Sequence, residues 1–183
     1  MENKPINKKV LGGILGLIIL VFGGFVIVNE FTLVTGEDVF LKTLPVDPRD
    51  LLRGDYVILS YAIEREPSIQ TFISQNKLQE GDEFYIALTL DNDKMAGFEQ
   101  VSIRKPDKIL SIKAKVGKKI LDQTYAIETG IGKYFVPEGR GHEVERWRGN
   151  LDVLVSIDAF GVAKIKDLYH DGEKVDFEQK AVI

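Results

Sequence analysis

The sequence predicts a mainly β, β-rich α+β protein. We expect an N-terminal transmembrane helix followed by an antiparallel β-sandwich or barrel-like domain with one or two short helices. Three observations lead to this expectation: an uncharged apolar run near the start, apolar residues that alternate with polar ones further on, and turn residues between those runs. With 183 residues, of which 44% are hydrophobic and 28% charged, the chain has the size and composition of one packed domain plus an anchor.

The anchor is predicted over residues 10–28, which contain no charged residue and no Asn, Gln or Pro. A helix of this length is roughly 29 Å long at 1.5 Å per residue, which matches the ~30 Å hydrocarbon core of a bilayer. We therefore divide the chain into a cytoplasmic tail (1–9), a transmembrane helix (10–28), a linker (29–37) and an exported β-rich domain (38–183).

The charges that flank this helix predict its orientation. Lys4, Lys8 and Lys9 precede it, whereas Glu30 and Glu37 follow it, so the positive-inside tendency leaves the N-terminus in the cytoplasm and exports the rest through a cell membrane. A cleaved signal peptide is the alternative interpretation, but its apolar region is normally ~7 to 15 residues long and ends in a small-x-small site.

Two further features of the composition limit the possible partners. After residue 29 the chain carries 21 basic and 27 acidic groups, a balance that argues against nucleic acid and against anionic lipid as ligands of the exported domain. The absence of Cys excludes disulfides, thiolate metal sites and cysteine nucleophiles.

Gly12 and Gly16 have the GxxxG spacing that allows helix dimers, although ordinary lipid-facing glycine explains it equally well.

The exported part reads as strands separated by turns. Tyr56–Ile63 is apolar or aromatic at seven of its eight positions, which predicts a central strand covered on both faces. Alternation predicts half-buried strands elsewhere, at 84–90, 110–116, 151–157 and 162–169. Amphipathic patterns predict short helices at 67–77 and at about 141–148.

Residues 54–61 read GDYVILSY, and a hydrophobic N-terminal helix, Asp47-Pro48-Arg49 and a later YFVPEG at 134–139 accompany them. In these features the chain resembles the GDYXXLXY protein family, whose five fixed positions are Gly54, Asp55, Tyr56, Leu59 and Tyr61. That family is bacterial and uncharacterised, and is often encoded with or fused to multi-pass membrane proteins. The resemblance thus implies a location in the cell envelope and a type of partner, not a reaction.

The motif has two interpretations. In the structural one, Gly54 and Asp55 form a tight turn, and Tyr56, Leu59 and Tyr61 pack a strand whose phenols need polar partners. In the functional one, Arg49, Arg53, Asp55 and Tyr61 line a polar pocket in which a guanidinium holds a carboxylate or phosphate. The second interpretation leaves room for a small-ligand-binding or cryptic enzymatic domain.

Known catalytic and metal-binding patterns are not found in the sequence. A membrane signal peptidase has Ser and Met ahead of a comparable Gly-Asp, but Val46 and Asp47 stand there, so no nucleophile is available. HExxH and GxSxG are absent, and His142 and His170 are the only histidines. We therefore predict no catalytic residues, no metal and no cofactor, and regard an enzyme as the less favoured reading.

The function expected from these observations is a non-catalytic accessory or assembly module for other membrane or envelope proteins. The predicted binding stretch runs from residue 134 to 148, because aromatic and Arg side chains dominate interface hot spots. Its candidate residues are Tyr134, Phe135, Glu138, Arg140 and Trp147. The competing interpretation assigns Phe135 and Trp147 to the core.

Overall fold

The structure is a computed structural model that describes residues 8–45, 56–121, 124–137, 140, 144, 147 and 150–177. Two helices and eleven strands lie in these ranges. In chain order they are α1 (Lys8–Thr35), β1 (Glu37–Leu44), β2 (Tyr56–Ile58), β3 (Ser60–Tyr61), α2 (Pro67–Gln75), β4 (Glu83–Leu90), β5 (Ala96–Ser102), β6 (Ser111–Leu121), β7 (Thr124–Glu128), β8 (Lys133–Phe135), β9 (Leu151–Ile157), β10 (Ala163–His170) and β11 (Glu173–Lys174).

The apolar helix α1 projects from the rest of the protein. Its large apolar side chains between Leu11 and Phe25 are all 46% to 71% exposed, and its residues from Leu11 to Thr35 are long and apolar enough to cross a membrane. The helix continues to Thr35, through most of the segment 29–37 that we expected to be a linker. Only Gly36 separates it from β1.

The strands form three antiparallel sheets within the described residues. The largest has five strands in the order β11-β10-β9-β1-β3, the second four in the order β5-β4-β6-β7, and the third pairs β2 with β8. The predicted alternating strands at 84–90, 110–116, 151–157 and 162–169 are confirmed as β4, β6, β9 and β10. The predicted fold class, an N-terminal apolar helix followed by antiparallel β structure, is likewise confirmed.

The single central strand predicted over residues 56–63 is wrong. The chain forms β2, breaks at Leu59, forms β3 and then a 3-10 helix at Ala62–Arg65. Val57, Leu59, Tyr61 and Ile63 are buried, as their alternation requires, but the opposite face is only half-buried. The alternation of apolar residues predicted the buried face correctly. It could not predict which strands form hydrogen bonds with this segment: β2 pairs with β8, and β3 pairs with β1.

One hydrophobic core joins the two larger sheets. Val39 and Leu41 of β1, Phe84 and Ile86 of β4 and Val155 of β9 all belong to it. The Phe40 amide of β1 donates to the carbonyl oxygen of Lys94, in the turn between β4 and β5, at 2.9 Å.

The predicted helix at 67–77 is confirmed as α2. Pro67 occupies its start, where the missing amide hydrogen is not needed. Ile69 and Ile73, one turn apart, are buried in the core. Most of the helix predicted at 141–148 lies outside the described residues.

Candidate functional site

The strand that carries the motif is held against the segment 129–135. Tyr56 pairs with Phe135, Val57 with Tyr134 and Ile58 with Lys133. After the break, the Leu59 amide donates to the Gly132 carbonyl oxygen at 3.0 Å. These bonds place the motif and residues 129–135 side by side although more than seventy positions separate them in sequence.

Tyr61 extends the same contact into the core. Its side chain is fully buried, and its hydroxyl donates to the Ile131 carbonyl oxygen at 2.8 Å. Burial, and next the negative charge of Glu64, raise the pKa of the Tyr61 phenol, so it remains a neutral donor. The phenol therefore has its polar partner inside the fold and is closed off from solvent.

Glu64, three residues after Tyr61, completes this arrangement. One carboxylate oxygen accepts the Tyr61 amide at 3.0 Å and the other accepts the Thr129 hydroxyl at 2.7 Å. Burial raises the pKa of Glu64, while these two hydrogen bonds and Arg65 act in the opposite direction. A carboxyl with a raised pKa is a candidate acid or base, but both oxygens of this one are engaged by the fold.

The outward face of the β2–β8 pair carries an aromatic and cationic cluster. Phe135 is 76% exposed and meets Tyr56 edge-on, with ring centroids 6.0 Å apart. The Lys133 Nζ atom lies 5.5 Å from the centroid of the Tyr56 ring. We call Tyr56, Lys133 and Phe135 the β2–β8 cluster. The assignment of Phe135 to the core is therefore wrong, because alternation along β8 turns Tyr134 inward and Phe135 outward.

Tyr134 and Arg140 lie in a second group, on the other side of β8. Tyr134 is half-buried against Phe177, with ring centroids 6.3 Å apart. The Arg140 guanidinium lies 5.7 Å from the Phe177 ring and donates to the Phe177 carbonyl oxygen at 3.2 Å. Burial, followed by the charge of Asp167, raises the pKa of Tyr134.

Trp147 is separate from both groups. Its ring is partly buried against the core and stacks on His170, with centroids 5.1 Å apart. The described aromatic residues of the predicted stretch 134–148 thus face different neighbours. The predicted residues Arg49, Arg53, Gly54, Asp55 and Glu138 lie outside the described residues.

Two adjoining grooves of about 580 and 520 Å³ run beside β8 and β10 and share Gly130, Ala163 and Lys164. Lys133 and Phe135 of the β2–β8 cluster line the first groove. The second holds Glu83, which bonds Lys113 at 2.6 Å and lies 3.4 Å from Lys115. The second groove therefore has charged side chains of both signs in its lining, whereas those in the lining of the first are Lys133 and Lys164, both basic.

The described residues contain no group of three or more His, Asp or Glu side chains placed to hold a metal ion. Sequence reasoning missed Glu64, Thr129 and Phe177. The signal for Glu64 was its position three residues after Tyr61, the spacing of a capping box, which an aromatic residue in place of Ser or Thr conceals. Thr129 and Phe177 carry no local signal, because their partners are distant in sequence.

Comparison with known proteins identifies a family. A family described as GDYXXLXY protein matches residues 18–168, from within the apolar helix to the last large strand. No curated protein and no solved structure matches the chain. Because the match covers most of its length, the chain belongs to the GDYXXLXY protein family.

Proposed function

We propose that this protein is a single-pass, membrane-anchored module whose β domain lies outside the cytoplasm and serves as a non-catalytic accessory or assembly partner of other membrane proteins. The observation that carries the proposal is the exposure of α1. A helix that is apolar on all sides is either buried in a large core or embedded in lipid, and none of the spanning window of α1 is buried by the domain.

The orientation follows from charge. Three lysines precede the apolar run, at positions 4, 8 and 9, whereas Glu30, Glu37 and Asp38 follow it. The positive-inside tendency favours a cytoplasmic N-terminus for such a segment.

The non-catalytic assignment rests on how the motif is used. Tyr61 and Leu59 form contacts within the fold, and Glu64 bonds two fold elements. An alternative pocket that includes Arg49, Arg53 and Tyr61 requires the Tyr61 phenol to reach a ligand, but that phenol is fully buried and hydrogen-bonded to a carbonyl.

The β2–β8 cluster is the proposed partner surface. An exposed Phe beside a Tyr and a Lys combines apolar area with a cation over an aromatic face, which is typical of interface hot spots. It borders the larger groove, so a partner side chain can enter next to Phe135. The chemistry favours a protein partner with aromatic and acidic residues.

Photo-crosslinking in intact cells tests this proposal. A benzophenone amino acid replaces Phe135 in the full chain, and a matched variant carries it at Ile103, which is 50% exposed on the loop after β5. We expect an adduct with an integral membrane protein from position 135 and none from position 103. Equal adducts at both positions, or an adduct only with soluble proteins, would contradict the proposal.

A further inference from the structure

A second exposed apolar feature lies where α1 joins the domain. The loop between β9 and β10 presents Phe160 and Val162, which are 68% and 42% exposed. On the helix, Phe31 and Val34 are exposed as well. Two distant parts of the chain thus bring apolar side chains to one level of the molecule.

Hydrogen bonds fix this loop to the helix. The Thr32 hydroxyl donates to one Asp158 carboxylate oxygen at 2.7 Å. The other oxygen of Asp158 accepts the amides of Phe160 and Val162 at 2.9 and 3.0 Å. Asp158 and Thr32 are both buried, so the loop that holds Phe160 cannot swing away from α1 without exposing a buried carboxylate.

A second contact makes the junction rigid. The Ser156 hydroxyl donates to the Thr32 carbonyl oxygen at 2.8 Å, and the Gly36 amide donates to the same oxygen at 3.0 Å. Only Gly36 lies between α1 and β1, which begins at Glu37, and this hydrogen bond holds its amide in place. The direction of α1 therefore determines the orientation of the β domain relative to the helix axis.

The position of the loop relative to a bilayer follows from the helix geometry. Thr32 lies four residues beyond Val28, about 6 Å further along the axis. The polar region on each side of the hydrocarbon core is roughly 5 to 7 Å thick. If α1 spans as proposed above, Thr32 and the loop bonded to it lie at the level of the lipid headgroups.

Given that proposed anchoring, on which this step rests, we infer that Phe160, with Val162 beside it, inserts into the boundary between headgroups and acyl chains of the outer leaflet. The occupant of this apolar surface is lipid, not a second protein. Glu30 and Glu37 are exposed at the same level, so attraction to anionic headgroups does not contribute and zwitterionic lipid is sufficient.

The absence of cysteine makes a site-specific test direct. Single variants Phe160→Cys, Val162→Cys, Ile120→Cys and Leu20→Cys of the full chain are labelled with an environment-sensitive fluorophore and reconstituted in phosphatidylcholine vesicles. Ile120, 63% exposed near the far end of β6, matches Phe160 in exposure. Leu20 reports whether α1 spans. The quenchers are iodide in the water and spin-labelled phosphatidylcholine, with the spin label near the headgroup for positions 160 and 162 and near the end of the acyl chain for position 20, which lies at the middle of the span.

We expect the label at 160 to be several-fold less quenched by iodide than the label at 120, and quenched by the spin-labelled lipid, with the same trend at 162. Iodide quenching at 160 equal to that at 120 would overturn the inference. Shielding at 160 from both quenchers would also overturn it, because it would indicate a protein occupant. If spin-labelled lipid does not quench the label at 20, the proposed anchoring fails. If spin-labelled lipid quenches the label at 20 but not the labels at 160 and 162, the anchoring stands and lipid contact by the loop is refuted.

Discussion

The two tyrosines of the motif lie five residues apart and occupy different environments. Tyr56 is half-buried on the outward face, beside Phe135. Tyr61 is fully buried and donates to a backbone carbonyl. The two tyrosines of the motif therefore have different roles. Their spacing alone cannot reveal this, because the chain changes its pairing partner from β8 to β1 between Tyr56 and Tyr61.

Replacing Tyr61 by Phe removes one hydroxyl and leaves the buried Ile131 carbonyl oxygen without that donor. We expect the free energy of unfolding to fall by about 1 to 3 kcal/mol. Urea titration of the full chain in detergent micelles, followed by the emission of Trp147, measures it.

The matched control is Tyr56→Phe, since the Tyr56 hydroxyl has no hydrogen bond among the described residues. We expect a change within about 0.5 kcal/mol for this variant. Equal losses for the two tyrosines would contradict the role assigned to the Tyr61 hydroxyl.

Glu64 gives a prediction about pH. Its pKa is raised above the ordinary value of 4.5, chiefly by burial, so the native state keeps its proton where the unfolded state releases it. The contribution of this group to stability is therefore greatest below pH 4.5 and declines as the pH rises through the window up to the raised pKa. We expect Glu64→Gln to lack this decline, which unfolding titrations of both chains between pH 4 and 7 can measure.

The control with the opposite sign is Glu83→Gln. The hydrogen bond from Lys113 lowers the pKa of Glu83, so its contribution to stability is present above the ordinary value of 4.5 and is lost as the pH falls below it, where the titrations of this control are made. The role of Glu64 is refuted if the difference in the free energy of unfolding between wild type and Glu64→Gln stays constant between about pH 4 and 7.

At the scale of elements, the sequence predicted the strands whose two faces differ and missed the pairing between them. The runs that became β4, β6 and β9 alternate because one face of each meets the core, and that signal is local. The pairing of Tyr56 with Phe135 depends on distant residues and cannot be read from either segment. The same limit explains why one strand was predicted over 56–63 and why the sequence left both an outward and a core position open for Phe135.

The junction between α1 and β1 shows a second limit. Residues 29–37 were expected to be a linker, yet α1 continues to Thr35 and its Thr32 bonds with Asp158 and Ser156, residues far along the chain that no local pattern could reveal. Gly36 permits the close approach of helix and sheet. A Cβ atom there would overlap the Ser156 hydroxyl and the Thr32 carbonyl oxygen.

We therefore expect Gly36→Ala to lower the free energy of unfolding by about 1 to 3 kcal/mol, the usual cost of overpacking a tight site. Gly24→Ala is the matched control, because a Cβ at Gly24 meets nothing within 4 Å. Urea titration of both variants measures the effect. A Gly36→Ala chain as stable as the Gly24→Ala chain would show that the junction is loosely packed.

At the scale of the whole molecule, an exposed apolar helix is coupled without a flexible linker to a domain with one core. Within the part of the chain that the structure describes, nothing shields the large apolar side chains of α1 between Leu11 and Phe25 from water. The proposed membrane location accounts for this exposure. If it holds, the bonded junction keeps the proposed partner surface and the Phe160 loop at fixed positions relative to the bilayer.

Charge introduced into the middle of α1 tests the anchor. Arg at the centre of a spanning helix costs about 2.5 to 3.5 kcal/mol on insertion scales, so the double variant Ile18→Arg with Phe22→Arg is expected to appear largely in the carbonate-soluble fraction. Val34→Arg, beyond the predicted span, is expected to remain in the membrane pellet. If the double variant pellets as wild type does, lipid does not hold α1.

The most direct test of the central claim is the side of the membrane on which the β domain lies. Single cysteines are introduced at Ile120, exposed in the domain, and at Asn3 in the tail, and spheroplasts are treated with a membrane-impermeant maleimide before and after permeabilisation. The account predicts that Ile120→Cys is labelled in intact spheroplasts and Asn3→Cys only after permeabilisation. The reverse pattern, or recovery of the unlabelled chain in the soluble fraction, would contradict it.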